Sequence, residues 1–184
     1  IETFFSMGAG VTPLAFDAGD LNADGILDLA IGTFTGIKTK LGGGAGGVGD
    51  GTFGANISQP EAPFLRELVL ADLNEDGILD AIGGGGYPVS DSAYIQIGTG
   101  SNGAGDGNFA APVRIHAGPD VTRALVHDFN EDGISDIAML NQSTIAPRVA
   151  VMLGLGSGGK GSGSFAPVVR YSTLAAPIGL TTAD

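Results

Sequence analysis

One unit used three times limits the fold of this chain more than any other feature of its sequence. "DLNADGILD" begins at Asp20, "DLNEDGILD" at Asp72 and "DFNEDGISD" at Asp128, spacings of 52 and 56 residues. A second marker follows each loop: a glycine-rich run that ends in Phe53, Phe109 or Phe165, 56 residues apart both times. The first copy is therefore four residues shorter between its acidic loop and its glycine run. A unit this small buries its apolar surface only against its neighbours, so the repeats must stack.

Each period reads as four short strands. The first precedes the acidic loop, as in "FLRELVLAD" from Phe64, and the second follows it, as in "LDLAIG" from Leu27. In the third, "GIKTKLG", Ile37, Thr39 and Leu41 alternate with Lys38 and Lys40, the period of a strand with one covered face. Its equivalents are "AYIQIG" and "VAVMLG". The fourth is brief, as in "PVRIHA" from Pro112 and "PVVRYS" from Pro167. The glycine runs read as turns, and no capped amphipathic helix is visible.

The expected fold is all-β, with four-stranded antiparallel sheets arranged as blades of a β-propeller. The repeats span approximately 12–60, 64–116 and 120–172, and 173–184 opens a further one. Propellers have about 4–8 blades, so three do not close a ring. The chain is expected to be a fragment of a larger protein, or a protomer completed by association. It stops on Asp184, 19 residues after Phe165, where Asp72 and Asp128 stand relative to Phe53 and Phe109. It begins with Ile1, which points to the removal of upstream residues.

Composition excludes several functions. Glycine makes up 33 of 184 residues, against a usual share of about 7 %, yet not at every third position, so the chain is not collagen-like. The formal charge is −12, and no basic face is available for a nucleic-acid backbone. Three divalent cations, one per loop, would halve that charge. There is no cysteine, hence no disulfide framework and no thiolate zinc site. No apolar run reaches the ~18 residues of a membrane helix, so membrane insertion is not expected.

Oxygen donors at positions 1, 3, 5 and 9 of each loop suit a hard cation. Calcium accepts six to eight oxygens in irregular geometry, whereas magnesium demands a near-octahedral shell. In the first loop the candidate ligands are Asp20, Asn22, Asp24, the carbonyl of Ile26 and Asp28, with Gly25 at the sharp turn. The second set is Asp72, Asn74, Asp76, Ile78 and Asp80, and the third Asp128, Asn130, Asp132, Ile134 and Asp136. Asx-turns alone could explain one such loop. Without a cation, however, each close pair of carboxylates costs about 1–4 kcal/mol. An EF-hand would need Glu at position 12, where Ile31, Gly83 and Met139 stand instead. Calcium-binding β-roll repeats have a far shorter period.

The "DLNADGILD" motif followed by "LAIG", then a glycine-rich turn and Phe, resembles the FG-GAP repeat family over essentially the whole chain. That family supplies the blades of integrin α-chain propellers and of many bacterial secreted and surface proteins. The resemblance implies calcium at the loop positions named above. Only Phe53-Gly54 keeps the Phe-Gly pair, and the Gly-Ala-Pro element is blurred near Gly86 and Ile145.

The expected function is a calcium-stabilised, extracellular or surface propeller segment that binds protein or glycan in adhesion. Two alternatives belong to other classes: the propeller part of a polysaccharide-active enzyme, and a self-assembling structural repeat. Catalysis finds little support. His116 and His127 share no repeat phase, nor do Tyr87, Tyr94 and Tyr171. Glu61, Glu67, Asp91, Asp106 and Asp120 form no recognisable pair. Arg114 and Arg170 occupy equivalent positions and read as outer-edge charges that discourage strand addition. The glycine runs lack the Gly-Lys-Ser/Thr ending of a phosphate loop.

Overall fold

The computed structural model describes residues 11–62, 65–85, 92–118, 120–142, 149–173 and 179–181. Among them every regular element is a β-strand. The first repeat contains β1 (Pro13–Gly19), β2 (Asp28–Thr33), β3 (Gly36–Lys40), β4 (Gly42–Ala45), β5 (Val48–Phe53) and β6 (Ile57–Ser58). The second contains β7 (Leu65–Ala71), β8 (Asp80–Gly85), β9 (Ala93–Gln96), β10 (Gly98–Ser101), β11 (Ala104–Phe109) and β12 (Val113–Ile115). The third contains β13 (Val121–His127), β14 (Asp136–Asn141), β15 (Val149–Met152), β16 (Gly154–Ser157), β17 (Lys160–Phe165) and β18 (Val169–Tyr171).

Three four-stranded antiparallel sheets result, ordered β1-β2-β3-β6, β7-β8-β9-β12 and β13-β14-β15-β18. Their registers correspond: Gly19 pairs with Asp28, Ala71 with Asp80 and His127 with Asp136. β2 turns directly into β3, with Thr33 opposite Gly36. In the other two repeats the equivalent positions are Gly85 and Ser92, and Asn141 and Arg148, seven apart rather than three, so the four missing residues lie here. Among the described residues no helix is long and apolar enough to cross a membrane.

Two expectations change. The glycine runs are hairpins rather than simple turns: β4 pairs with β5, β10 with β11 and β16 with β17. Among the described residues each repeat therefore has six strands. Glycine is a poor strand former because it adds no packing and loses the most entropy, so pattern reading passes over such hairpins. The alternation of β3 is also not a covered face against a wet one. Ile37, Thr39 and Lys40 are all buried, and Lys40 reaches out to donate from Nζ to the Gly54 carbonyl at 2.9 Å.

The core lies between sheets. Ile37 and Ala30 of the first pack with Leu65, Leu68 and Ala81 of the second and with Phe109 of its hairpin. Ile82, Ala93 and Ile95 of the second pack with Ile137, Met139, Ala150 and Met152 of the third. β1 lies against β7, and β7 against β13. Asp17 Oδ2 accepts from the Leu70 amide at 2.9 Å, and Glu67 Oε1 from the Ala124 amide at 3.2 Å, so side chains stitch neighbouring first strands.

Each later hairpin also seats on the preceding repeat. A Cβ at Gly105 would stand 2.2 Å from the Leu21 carbonyl, and one at Gly161 2.6 Å from that of Leu73, so only glycine allows this approach. Leu21 and Leu73 are buried under these hairpins, whereas Phe129, their equivalent in the third repeat, is 40 % exposed.

Candidate metal centre

The three acidic loops join β1 to β2, β7 to β8 and β13 to β14. Their local geometry is the same. In the first, Asp20 accepts from the amides of Asp24 (3.2 Å) and Gly25 (2.8 Å). Asn22 Oδ1 accepts from the Asp24 amide at 3.1 Å, and Asp24 Oδ1 from the Ile26 amide at 2.8 Å. Asn22 Nδ2 donates to Asp24 Oδ2 at 2.9 Å. Asp72, Asn74 and Asp76 repeat these bonds, as do Asp128, Asn130 and Asp132.

The curl requires the left-handed region twice. Gly25, Gly77 and Gly133 have φ of 82°, 85° and 83°, as the sharp turn demands. Ala23, Glu75 and Glu131 also lie there, at 58°, 55° and 60°. A non-glycine residue in this region is uncommon and costs about 1–3 kcal/mol, which the surrounding bonds must offset. Its recurrence at position four was not legible, because Ala and Glu carry no turn signal.

The ninth residue differs from the rest. Asp28, Asp80 and Asp136 are fully buried. Asp28 Oδ2 accepts from the Leu21 amide at 2.7 Å, and Oδ1 from the Gly42 amide at 2.7 Å. Asp80 takes Leu73 and Gly98 at 2.8 Å each, and Asp136 takes Phe129 at 2.8 Å and Gly154 at 2.7 Å. One carboxylate thus ties the loop to the start of the glycine hairpin. A Cβ at Gly42, Gly98 or Gly154 would meet the carbonyl of Leu27, Leu79 or Ser135 at 2.4–2.5 Å, so these glycines are needed for the approach. Sequence reading missed this tie, although the three glycines stand in register.

Burial pushes the Asp28 carboxyl up, against the amides of Gly42 and Leu21, which hold it down. For Asp80 the same desolvation dominates and raises its pKa to about 6, with Asp76 and Asp72 adding to the rise.

Positions one, three and five are therefore bonded together at an accessible rim, while position nine turns inward. Ile26, Ile78 and Ile134 bury their side chains beneath the hairpins. Among the described residues no group of three or more His, Cys, Asp or Glu side chains converges on one point. The donor set nevertheless fits calcium by its chemistry: all side-chain donors are oxygens, and each carboxylate oxygen that accepts one amide keeps a second lone pair. His116 and His127 lie exposed at strand ends, and His127 stands edge-on to Phe129 with ring centroids 5.7 Å apart. Tyr87, Asp91, Gly86, Ile145 and Asp184 fall outside the described residues.

No family model matches the chain, and no curated protein matches it.

Proposed function

We propose that this chain is a calcium-stabilised β-propeller segment of FG-GAP type, from a secreted or cell-surface protein, that binds protein or glycan. The observation that carries the reading is the threefold use of one acidic turn, with oxygen donors only, at the same strand-to-strand corner. The ligands would be Asp20, Asn22, Asp24, Ile26 and Asp28, with the Asp72–Asp80 and Asp128–Asp136 sets in the other repeats. A bound ion supplies positive charge against carboxylates that otherwise repel one another. Weak sites of this kind, with Kd on the order of 10⁻⁴–10⁻³ M, fill outside cells, which supports the extracellular assignment. Calcium would cross-brace the link between the first two strands of each repeat and hold the loops rigid, and those loops would present the interaction surface. Fold analogy supports that last step.

Asp76→Ala tests the loop directly. It should lower the melting temperature in calcium and change it little in chelator. Equal losses in both conditions would reduce the loop to a turn. A glycan array run beside lyase and hydrolase assays separates the binding role from a polysaccharide-active one. Turnover that persists through purification rejects the binding role.

Self-association is favoured by a separate observation. Among the described residues no repeat lies beneath the β4–β5 hairpin, and Val48 is 71 % and Leu27 64 % exposed. At the other end Phe129 and Leu153 are uncovered. A further sheet of the same kind, in a continued chain or a second copy, would cover both faces. Sedimentation that stays monomeric at all concentrations removes the second copy.

A further inference from the structure

We propose that the cleft between the second and third sheets binds a small amphipathic carboxylate, its apolar body inward and its anionic group at the rim. The cleft has a volume of about 610 Å³, within the range of small-molecule sites. Ile95, Ile97, Ile115, Met152, Phe165 and Val168 supply its apolar lining. Arg114 and Arg170 also line it, two of only eight basic residues in a chain of net charge −12.

The molecule explains why this junction is open. Between the first and second sheets, Gln59 Nε2 donates to the Gly107 carbonyl at 3.1 Å, and its Oε1 accepts from the Phe109 amide at 2.9 Å. Thr39 Oγ1 donates to the same carbonyl at 2.9 Å. One repeat later, Ile95 replaces Thr39 and Ile115 replaces Gln59. Neither isoleucine can bond to Gly163 or Phe165, the equivalents of Gly107 and Phe109. An apolar cleft stands where the earlier junction is sealed by an amide.

The charge selects the occupant. Arg114 Nε donates to Ser92 Oγ, and an Nη of Arg170 to the His116 carbonyl, which anchors both guanidinium groups at the fourth strands. A guanidinium has five N–H donors, so each anchored group retains donors for a carboxylate. A cation would meet two like charges, and a neutral apolar ligand would leave both arginines unused. The apolar lining suits an alkyl chain or aromatic ring beside the anionic group.

Octanoate titrated into the protein by calorimetry, with octanol as the neutral comparator, tests the site. One saturable site is expected, with octanol roughly tenfold weaker. The double variant Arg114→Gln, Arg170→Gln should weaken octanoate by about tenfold, with the melting temperature unchanged. Ile115→Gln should abolish binding by rebuilding the seal that Gln59 makes. If that variant folds poorly, the arginine pair on the exposed fourth strands decides alone. No saturable binding to the unaltered protein, equal binding of octanol, or undiminished affinity in the arginine variant overturns the proposal.

Discussion

The junction between the first and second sheets and that between the second and third share one backbone plan, yet they are finished with different chemistry. In both, a glycine hairpin of the later repeat seats on the acidic loop of the earlier one. In the first, Thr39 and Gln59 reach across and satisfy Gly107 and Phe109. In the second, Ile95 and Ile115 face the hairpin and a cleft of about 610 Å³ remains. The glycine contacts set the spacing of the repeats, so the side chains on the third and fourth strands are free to vary. Architecture and surface chemistry are carried by different residues of the same unit.

The comparison breaks most directly at Gln59. Gln59→Leu leaves the Phe109 amide without its partner in a buried setting, at a cost of about 1–3 kcal/mol. Urea denaturation measures it, and a loss below ~0.5 kcal/mol would mean that the two junctions are energetically alike. Ile115→Ala, at the half-buried equivalent position, should cost about 1 kcal/mol or less, because the cleft already lies open beside it.

A pH titration sharpens what the repeats share. The folded pKa of Asp80, about 6, stands above its unfolded value of 3.8, so the folded chain favours the protonated form. The stability this confers is complete below 3.8 and is lost as pH rises through about 6. In chelator the melting temperature should therefore carry an Asp80 contribution that is larger at pH 5 than at pH 7.5. Asp80→Asn should remove that contribution. In calcium the slope should flatten, because the cation favours the ionised carboxylate; an identical slope with and without calcium would count against an ion at this loop.

The smallest effect is kinetic. Hydrogen exchange should be slower at the Phe109 amide, bonded to a side chain of the earlier sheet, than at Phe165, whose junction lacks that bond. Equal protection would show that strand pairing alone governs both.

Much of this was legible from local signals. The second and third strands follow from the apolar runs after each acidic loop, because a strand pattern needs only its own residues. The glycine at position six, read as a turn, adopts the expected positive φ in all three loops. Lys40 was misplaced because alternation presumes one wet face, whereas Lys40 is buried and its Nζ finds the Gly54 carbonyl of the same repeat. The inward-facing Asp28 illustrates the other failure. Its partner amides belong to Leu21 and to Gly42, fourteen residues further along the chain, and no sequence pattern names the donor a carboxylate will find.

The all-β class, the threefold unit and the acidic turns can be read from residue order alone, since these depend on spacing and on the conformational limits of single residues. That the glycine runs pair as hairpins, that the ninth carboxylate is buried, and that one junction is sealed while the next is open emerges only from the packed fold. The seal depends on groups that meet across 50 residues of chain, as Gln59 meets Phe109, and the buried carboxylate on amides seven and fourteen residues away. Burial and hydrogen-bond partnership exist only once neighbouring repeats are packed.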